Sequence, residues 1–454
     1  MYSLTCATEK GFCSILLIAL ALPSFATAGG LTLGDQSASA SGTSNAGAAA
    51  NPVDATTVYF NPAGMSRLSG TNVSAGILLM EIDARGRDSA TRATRADGNP
   101  VAGDGGGDHV GTVAVPNAYL THEINDRVDV GVGLFVPYGL GLDYQNGFAG
   151  RFITDRVDLV SVGLSPSIAI NNGNGFSIGI GVNVLYASAE QSNPADFSGV
   201  ETQFNLSTGT ITDGEVLLKG DDVALEYTFG MMFDLAPGTT LGFSGRTGTE
   251  FNLKGRSTLR NAPQLVGGSL DQSDVTESTQ VSIRVPESLA IDVAHQLNPD
   301  WKLLAGATWA KWSRAAALSV VSREKNPVAF PAAKDATGDA QNWNDTWQWR
   351  VGAIWQATPQ WALKAGYLFD ESPVTIETRS PATPFDDYHQ VSVGAQFQSL
   401  SGDWTLDMFV ARGIYDGDIS IDYKATAAAQ EKTGFQSEYD ITPWNMGLQL
   451  SRRF

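Results

Sequence analysis

The sequence predicts an all-β transmembrane protein, a fourteen-stranded antiparallel outer-membrane β-barrel plugged by an N-terminal hatch. Three observations carry this. Segments of about 10–15 residues alternate apolar with small or polar residues, the length and period of tilted bilayer-crossing strands. The connections between them alternate strictly between tight turns and long polar loops. The chain has 49 glycines and only 17% charged residues, which suits a sheet with two differently solvated faces.

Residues 1–28 read as a secretory signal peptide. Their apolar run, Ile15–Leu22, is well short of the roughly 18–20 residues of a spanning helix, and Ala26-Thr27-Ala28 is a small-residue cleavage pattern. Cys6 and Cys13, the only two cysteines, leave with it. A mature chain beginning at Gly29 then has no disulfide, zinc–thiolate site or cysteine nucleophile. No later segment has a long apolar run, which excludes an α-helical membrane protein. A net charge of −19 without a basic patch argues against nucleic acid as a partner.

Residues 29–71 come next and carry "SASASGTSNAGAAANPVDATTVYFNPAGM" (Ser37–Met65). An even number of strands leaves both ends of the wall on the short-turn side, so this stretch is not wall. Val58, Tyr59, Phe60 and Met65 give it apolar anchors, and Pro62 fixes a turn that a loose tail does not need. It reads as a hatch inside the lumen, with Asn61-Pro62-Ala63-Gly64 as its motif.

The barrel is expected over 72–454. Strands are placed near 72–83, 111–124, 127–138, 156–171, 175–190, 222–235, 239–253, 280–297, 300–314, 345–358, 360–371, 387–399, 403–413 and 440–454. In the last, Trp444, Met446, Leu448 and Leu450 oppose Asn445, Gly447, Gln449 and Ser451. Tight turns fall at Asn125–Arg127, Asn171–Gly175, Ala236–Thr239, Asn298–Asp300, Thr358–Gln360 and Ser401–Asp403. In lipid such a sheet must close, because an open edge leaves backbone groups unpaired.

Several blocks taken together resemble the FadL/TodX family of outer-membrane transporters for long-chain fatty acids and hydrocarbons. They are the hatch motif, "VPNAYLTHEINDRVDVGVGLFVPYGLGLDY" (Val115–Tyr144), "GRFITDRVDLVSVGLSPSIAI" (Gly150–Ile170), "VPESLAIDVAHQLNPDWKLLAGATWAKWS" (Val285–Ser313) and "GYLFDESPV" (Gly366–Val374). The resemblance implies a monomeric multi-pass protein of the bacterial outer membrane, among lipid and lipopolysaccharide, that uses no cofactor. It implies capture of a hydrophobic molecule by outer loops, binding in the lumen, hatch rearrangement and sideways exit at a kink in the third strand. On this resemblance, Gly131, Gly133 and Pro137 are the candidate kink. Long-chain fatty acids are the expected substrate, with aromatic or aliphatic hydrocarbons as the alternative.

A carboxylate substrate needs a cation, because burying an unpaired charge is costly. Alternation places Arg246, Arg284, Arg350 and Lys364 on the lumenal face as candidate head-group ligands, or as structural partners of lumenal acids. Leu140, Leu142, Phe148 and Phe152 are candidates for an outer capture groove, or for a self-packed loop core. The four histidines, His109, His122, His295 and His389, have no metal spacing. Gly175-Phe176-Ser177-Ile178-Gly179 matches G-x-S-x-G but enters a strand from a tight turn, which is no nucleophile elbow. No enzyme is expected. A general porin would need no hatch, and an adhesive barrel is the remaining rival.

Overall fold

The computed structural model describes residues 30–198, 211–266, 269–315, 317–327, 329–330, 339–340, 342–424 and 434–454; the expected signal peptide lies outside them. Fourteen antiparallel strands form the wall. The first, Thr71–Gly86, pairs with the last, Gly434–Arg453, from Asn72↔Arg453 to Gly86↔Tyr439. That pairing closes the barrel and removes the edge that lipid could not satisfy.

The two faces separate as alternation demands. On the fourth strand, Arg156–Asn171, Leu164, Ile168 and Ile170 point outward and are exposed, while Ser161, Ser165 and Ser167 are buried inside. On the last strand Trp444, Met446, Leu448 and Leu450 face out, and Asn445, Gln449 and Ser451 face in. Aromatic rings gather towards both rims, where amphipathic rings favour the interface. At the short-turn rim Trp301 stacks on Trp355 (5.9 Å between centroids), Trp361 meets Phe397 (5.0 Å) and Arg452 lies over Trp404 (4.8 Å). Among the described residues no helix is long and apolar enough to cross a membrane.

Strand positions follow the alternation closely inside the bilayer and depart from it beyond. The stretch expected as a long loop after residue 253 is instead a hairpin, Thr249–Val266 paired with Ser269–Val285 up to Val266↔Ser269. The fifth and sixth strands, Phe176–Ala195 and Gly214–Ala236, likewise pair out to Ala195↔Gly214. Above the membrane both faces of a hairpin are wet, so hydrophobic alternation disappears although the hydrogen bonds continue.

Residues 30–70 fill the lumen and touch the wall on every side. Ser37 donates to Gln449 (2.9 Å), Ser44 shares a hydrogen bond with Ser392 (2.8 Å), and Ala49 N donates to Asp292 (2.9 Å). Three short helices, Ala38–Ser41, Thr57–Phe60 and the 3₁₀ turn Pro62–Arg67, give this segment its shape. Wall glycines let its backbone approach. A Cβ on Gly242 would collide with the Ala49 carbonyl, and one on Gly179 with the Pro62–Ala63 peptide.

Candidate functional site

The hatch motif is a buried hydrogen-bond node. Asn61 caps the 3₁₀ turn by accepting from Ala63 N (3.1 Å). Its Nδ2 donates to Ala49 O within the hatch (2.7 Å) and to Met231 O on the sixth strand (3.1 Å). Pro62, at the first position of the turn, needs no backbone donor there. The Ala63 carbonyl accepts from Ser177 Oγ (3.0 Å), so the serine of the G-x-S-x-G match fastens the hatch. A Cβ on Gly64 would strike Thr57 Oγ1.

The wall is interrupted at the third strand, around the expected Pro137 rather than at the expected glycines. Gly131 and Gly133 pair regularly with both neighbours, Thr121 and Ser167, Tyr119 and Ser165. Their missing side chains make room for Val58 of the hatch. The strand runs Val128–Phe135 and resumes at Gly139–Asp143, and every residue from Phe135 to Leu142 is buried. Val136-Pro137-Tyr138 therefore turn inward, and the alternation expected through 138 ends at Phe135. The lower part pairs with the second strand, Gly111–Asn125, up to Leu134↔Ala118. The upper part pairs only with the fourth strand. Between them the wall has a gap, spanned at its top where Asp143 N donates to His109 O (2.8 Å).

The start of the hatch occupies this gap. Leu33 N donates to Pro137 O (2.9 Å), Gly139 N donates to Leu31 O (3.0 Å), and Thr32 bridges Tyr138. The Leu33 side chain is 1% exposed and packs with Val113, Val115 and Val136.

Two cavities meet at the same segment. The outer one, about 420 Å³, is lined by Leu31, Leu140, Leu159, Leu253, Ile283 and Trp343 among others. The inner one, about 180 Å³, borders Thr32, Pro137 and Tyr138 and is more polar, with Asp35, Asp292 and Asp370 facing Arg246 and Arg350. Trp312, 1% exposed, meets Trp343 edge-on (5.3 Å) between them. Residues 31–33 thus touch the outer cavity, the inner cavity and the wall gap.

The four basic candidates separate by what already holds them. Lys364 is buried and held by two partners, donating to Asp407 (2.6 Å) and to the hatch carbonyl of Ser39 (2.9 Å). Arg246 donates to Tyr59 O (2.8 Å), lies over the Tyr59 ring (4.1 Å) and pairs with Glu226 (3.3 Å). Both fasten the hatch. Arg284 is half-exposed, pairs with Glu250 (3.1 Å) and lines the outer cavity. Arg350 differs. Its Nη2 donates to Thr308 (2.7 Å) and lies 3.4 Å from Asp292, but its Nε is buried without a partner beside the inner cavity.

A family model described as outer membrane protein transport protein (OMPP1/FadL/TodX) matches residues 19–454. The chain belongs to this family. It is a FadL/TodX-family transporter of hydrophobic compounds in the bacterial outer membrane, and a transport channel rather than an enzyme. A putative outer membrane protein of Neisseria meningitidis serogroup B is 29% identical over 76% of this chain and 78% of its own length. The long-chain fatty acid transport protein of Escherichia coli K12 is 24% identical over 88% and 91%. The fold is that of a Pseudomonas aeruginosa FadL homologue (TM-score 0.82, 20% identity, 94% of this chain and 100% of that one).

In this FadL/TodX-family chain the capture candidates divide. Leu140 and Leu142 join the apolar cluster of Leu31, Trp312 and Trp343, and Leu140 also lines the outer cavity. Phe148 is fully buried, stacked on Tyr144 (3.8 Å) and edge-on to Phe435 (5.4 Å), and is loop core. Phe152 is covered by the guanidinium groups of Arg95 and Arg151, each 5.0 Å from its centroid. Sequence reasoning missed Gln36, Trp312 and Trp343. A lone glutamine in a small-residue run carries no periodic signal. Trp312 fell within the strand expected over 300–314, which instead ends at Ala310 and turns into the 3₁₀ turn Trp312–Arg314, and Trp343 sits in a loop.

His109 completes the aromatic stack, 4.1 Å from Tyr144 at the top of the wall gap. Burial lowers its pKa to about 4, while the carbonyls of Gly107 and Ala84 and the Asp108 carboxylate oppose this by less. The folded loop therefore holds a neutral ring. Its contribution is fully present above pH 6.5, the unfolded value, and is lost as pH falls towards 4, by up to roughly 3 kcal/mol. Protease cleavage of the outer loops should accelerate between pH 6.5 and 4, and His109→Phe should flatten that dependence.

Proposed function

We propose that the protein takes up long-chain fatty acids passively across the outer membrane, as a monomer whose residues 1–28 are removed on export. The observation that carries this reading is the meeting of three spaces at residues 31–33. The apolar outer cavity can hold an acyl chain, recovering about 0.8 kcal/mol per buried CH2. A carboxylate then finds Arg350 in the inner cavity, whose buried Nε has no hydrogen-bond partner. Movement of residues 31–36 would join that cavity to the wall gap, so the substrate leaves sideways into lipid without entering water. Leu140 and Leu142 serve capture, Arg284 stands at the outer mouth, and Arg246 and Lys364 hold the hatch still. The relative named as a long-chain fatty acid transport protein supports the substrate class.

The apolar outer cavity also suits hydrocarbon, the second reading. Uptake of labelled oleate and labelled toluene by cells lacking their own transporter distinguishes the two. Oleate entry with little toluene entry is expected. The reverse result moves the assignment to hydrocarbon import, and entry of neither discards both.

A further inference from the structure

The gap in the wall poses a hydrogen-bonding problem. The second strand no longer meets the third above Leu134, so the backbone groups of the inward turn need other partners. Tyr138 finds them on the fourth strand, its N–H donating to Ser161 Oγ (2.9 Å) and its carbonyl accepting from Ser161 N (3.0 Å). Pro137 has no N–H, and its carbonyl accepts from Leu33 N. Val136 remains, with both a donor and an acceptor.

One side chain satisfies both. Gln36 Nε2 donates to Val136 O (2.6 Å), and Gln36 Oε1 accepts from Val136 N (3.3 Å). The primary amide reproduces the donor–acceptor pair that a neighbouring strand would present. The same Nε2 reaches back to Leu33 O (3.0 Å), and Tyr119 Oη from the second strand donates to Gln36 O (3.0 Å). Gln36 is 0% exposed. It therefore ties together the second strand, the third-strand turn and the hatch segment that carries Leu33 into the gap.

We infer that Gln36 is a positioning residue, a clasp whose amide stands in for the missing strand at Val136 and sets how often residues 31–35 leave the wall gap. This rests on the lateral-exit reading above for its consequence in transport, although the clasp itself is measurable without transport. Only an amide of this length fits. Glutamate has the same shape but turns the donor facing Val136 O into a second acceptor, methionine offers neither group, and asparagine is one methylene too short.

The test uses a single thiol at Leu33 in the full chain, with Cys6 and Cys13 replaced by serine; no other cysteine is present. The folded barrel in detergent is treated with N-ethylmaleimide. Leu33→Cys alone should label slowly. Adding Gln36→Glu, Gln36→Met or Gln36→Asn should raise the labelling rate at least fivefold, with the heat-shifted gel mobility of the folded barrel retained. Three variants guard against one failing to fold. Labelling unchanged in those that fold overturns the clasp. Faster labelling with unaltered oleate uptake upholds the clasp and refutes lateral exit.

Discussion

Arg350→Ala is expected to lower oleate uptake at least tenfold while leaving uptake of methyl oleate within about twofold of wild type. The guanidinium has five N–H donors, yet its recorded partners are Thr308 and the more distant Asp292, and its Nε is buried without one. A donor in that state costs free energy until a ligand satisfies it. A carboxylate arriving from the inner cavity offers charge-assisted hydrogen bonds worth about 1.5–3 kcal/mol each, which corresponds to a tenfold loss or more when they are removed. An ester lacks the charge and should be indifferent. Arg350→Lys should recover part of the effect, because a point charge remains without the planar fork.

Lys364→Ala provides the contrast. It leaves Asp407, 1% exposed in its side chain, with the Gln396 amide (2.9 Å). Breaking this close buried pair (2.6 Å) costs about 3–5 kcal/mol, whereas Asp292 lies 3.4 Å from Arg350 and keeps its bond from Ala49 N. The loss in Lys364→Ala falls on the hatch and should affect oleate and methyl oleate alike. Equal loss for both lipids in Arg350→Ala would remove Arg350 as the head-group ligand and return it to the structural class.

Asn61→Leu should convert a closed barrel into one that opens frequently. The substitution leaves Ala49 O, Met231 O and Ala63 N without their partner. At about 1–3 kcal/mol for each of the three buried groups left unsatisfied, the hatch loses roughly 3–9 kcal/mol of attachment. The wall does not depend on this node, since the first and last strands pair from Asn72↔Arg453 to Gly86↔Tyr439. Planar-bilayer recordings should therefore show large, flickering conductance where the wild type is nearly silent. Semi-native gels should still show the heat-modifiable folded barrel. Silent bilayers together with normal uptake would mean that the motif does not hold the plug.

Much of this architecture was legible from residue order alone. Ile168 and Ile170 against Ser165 and Ser167, or Trp444 and Met446 against Asn445, carry a period of two, and bilayer physics allows such strands one solution, a closed barrel. The tight turns are equally local. The hatch also followed from counting, because an even wall leaves its first 40 or so residues on the inside or loose. Where the local signal ended, so did the reading. The outer hairpins lost their alternation in water, and the third strand was expected to run on through residue 138 with its kink at Gly131, Gly133 and Pro137, of which only Pro137 lies in the interruption. Those glycines make room for the hatch instead, and the turn comes at Val136-Pro137-Tyr138.

The site itself depended on contacts between residues far apart in the chain. Arg246, Arg350 and Lys364 all belong to one lumenal face, and nothing in their own neighbourhoods distinguishes them. Only the folded chain brings Tyr59 to the first and Ser39 to the last while leaving Arg350 Nε unpaired. Gln36 and Val136, a hundred residues apart, are joined in the same way. Alternation is a property of each strand and its solvent, so the sequence determines it. Which buried polar groups find partners is decided by how the plug is seated in the wall, and only the tertiary structure decides that.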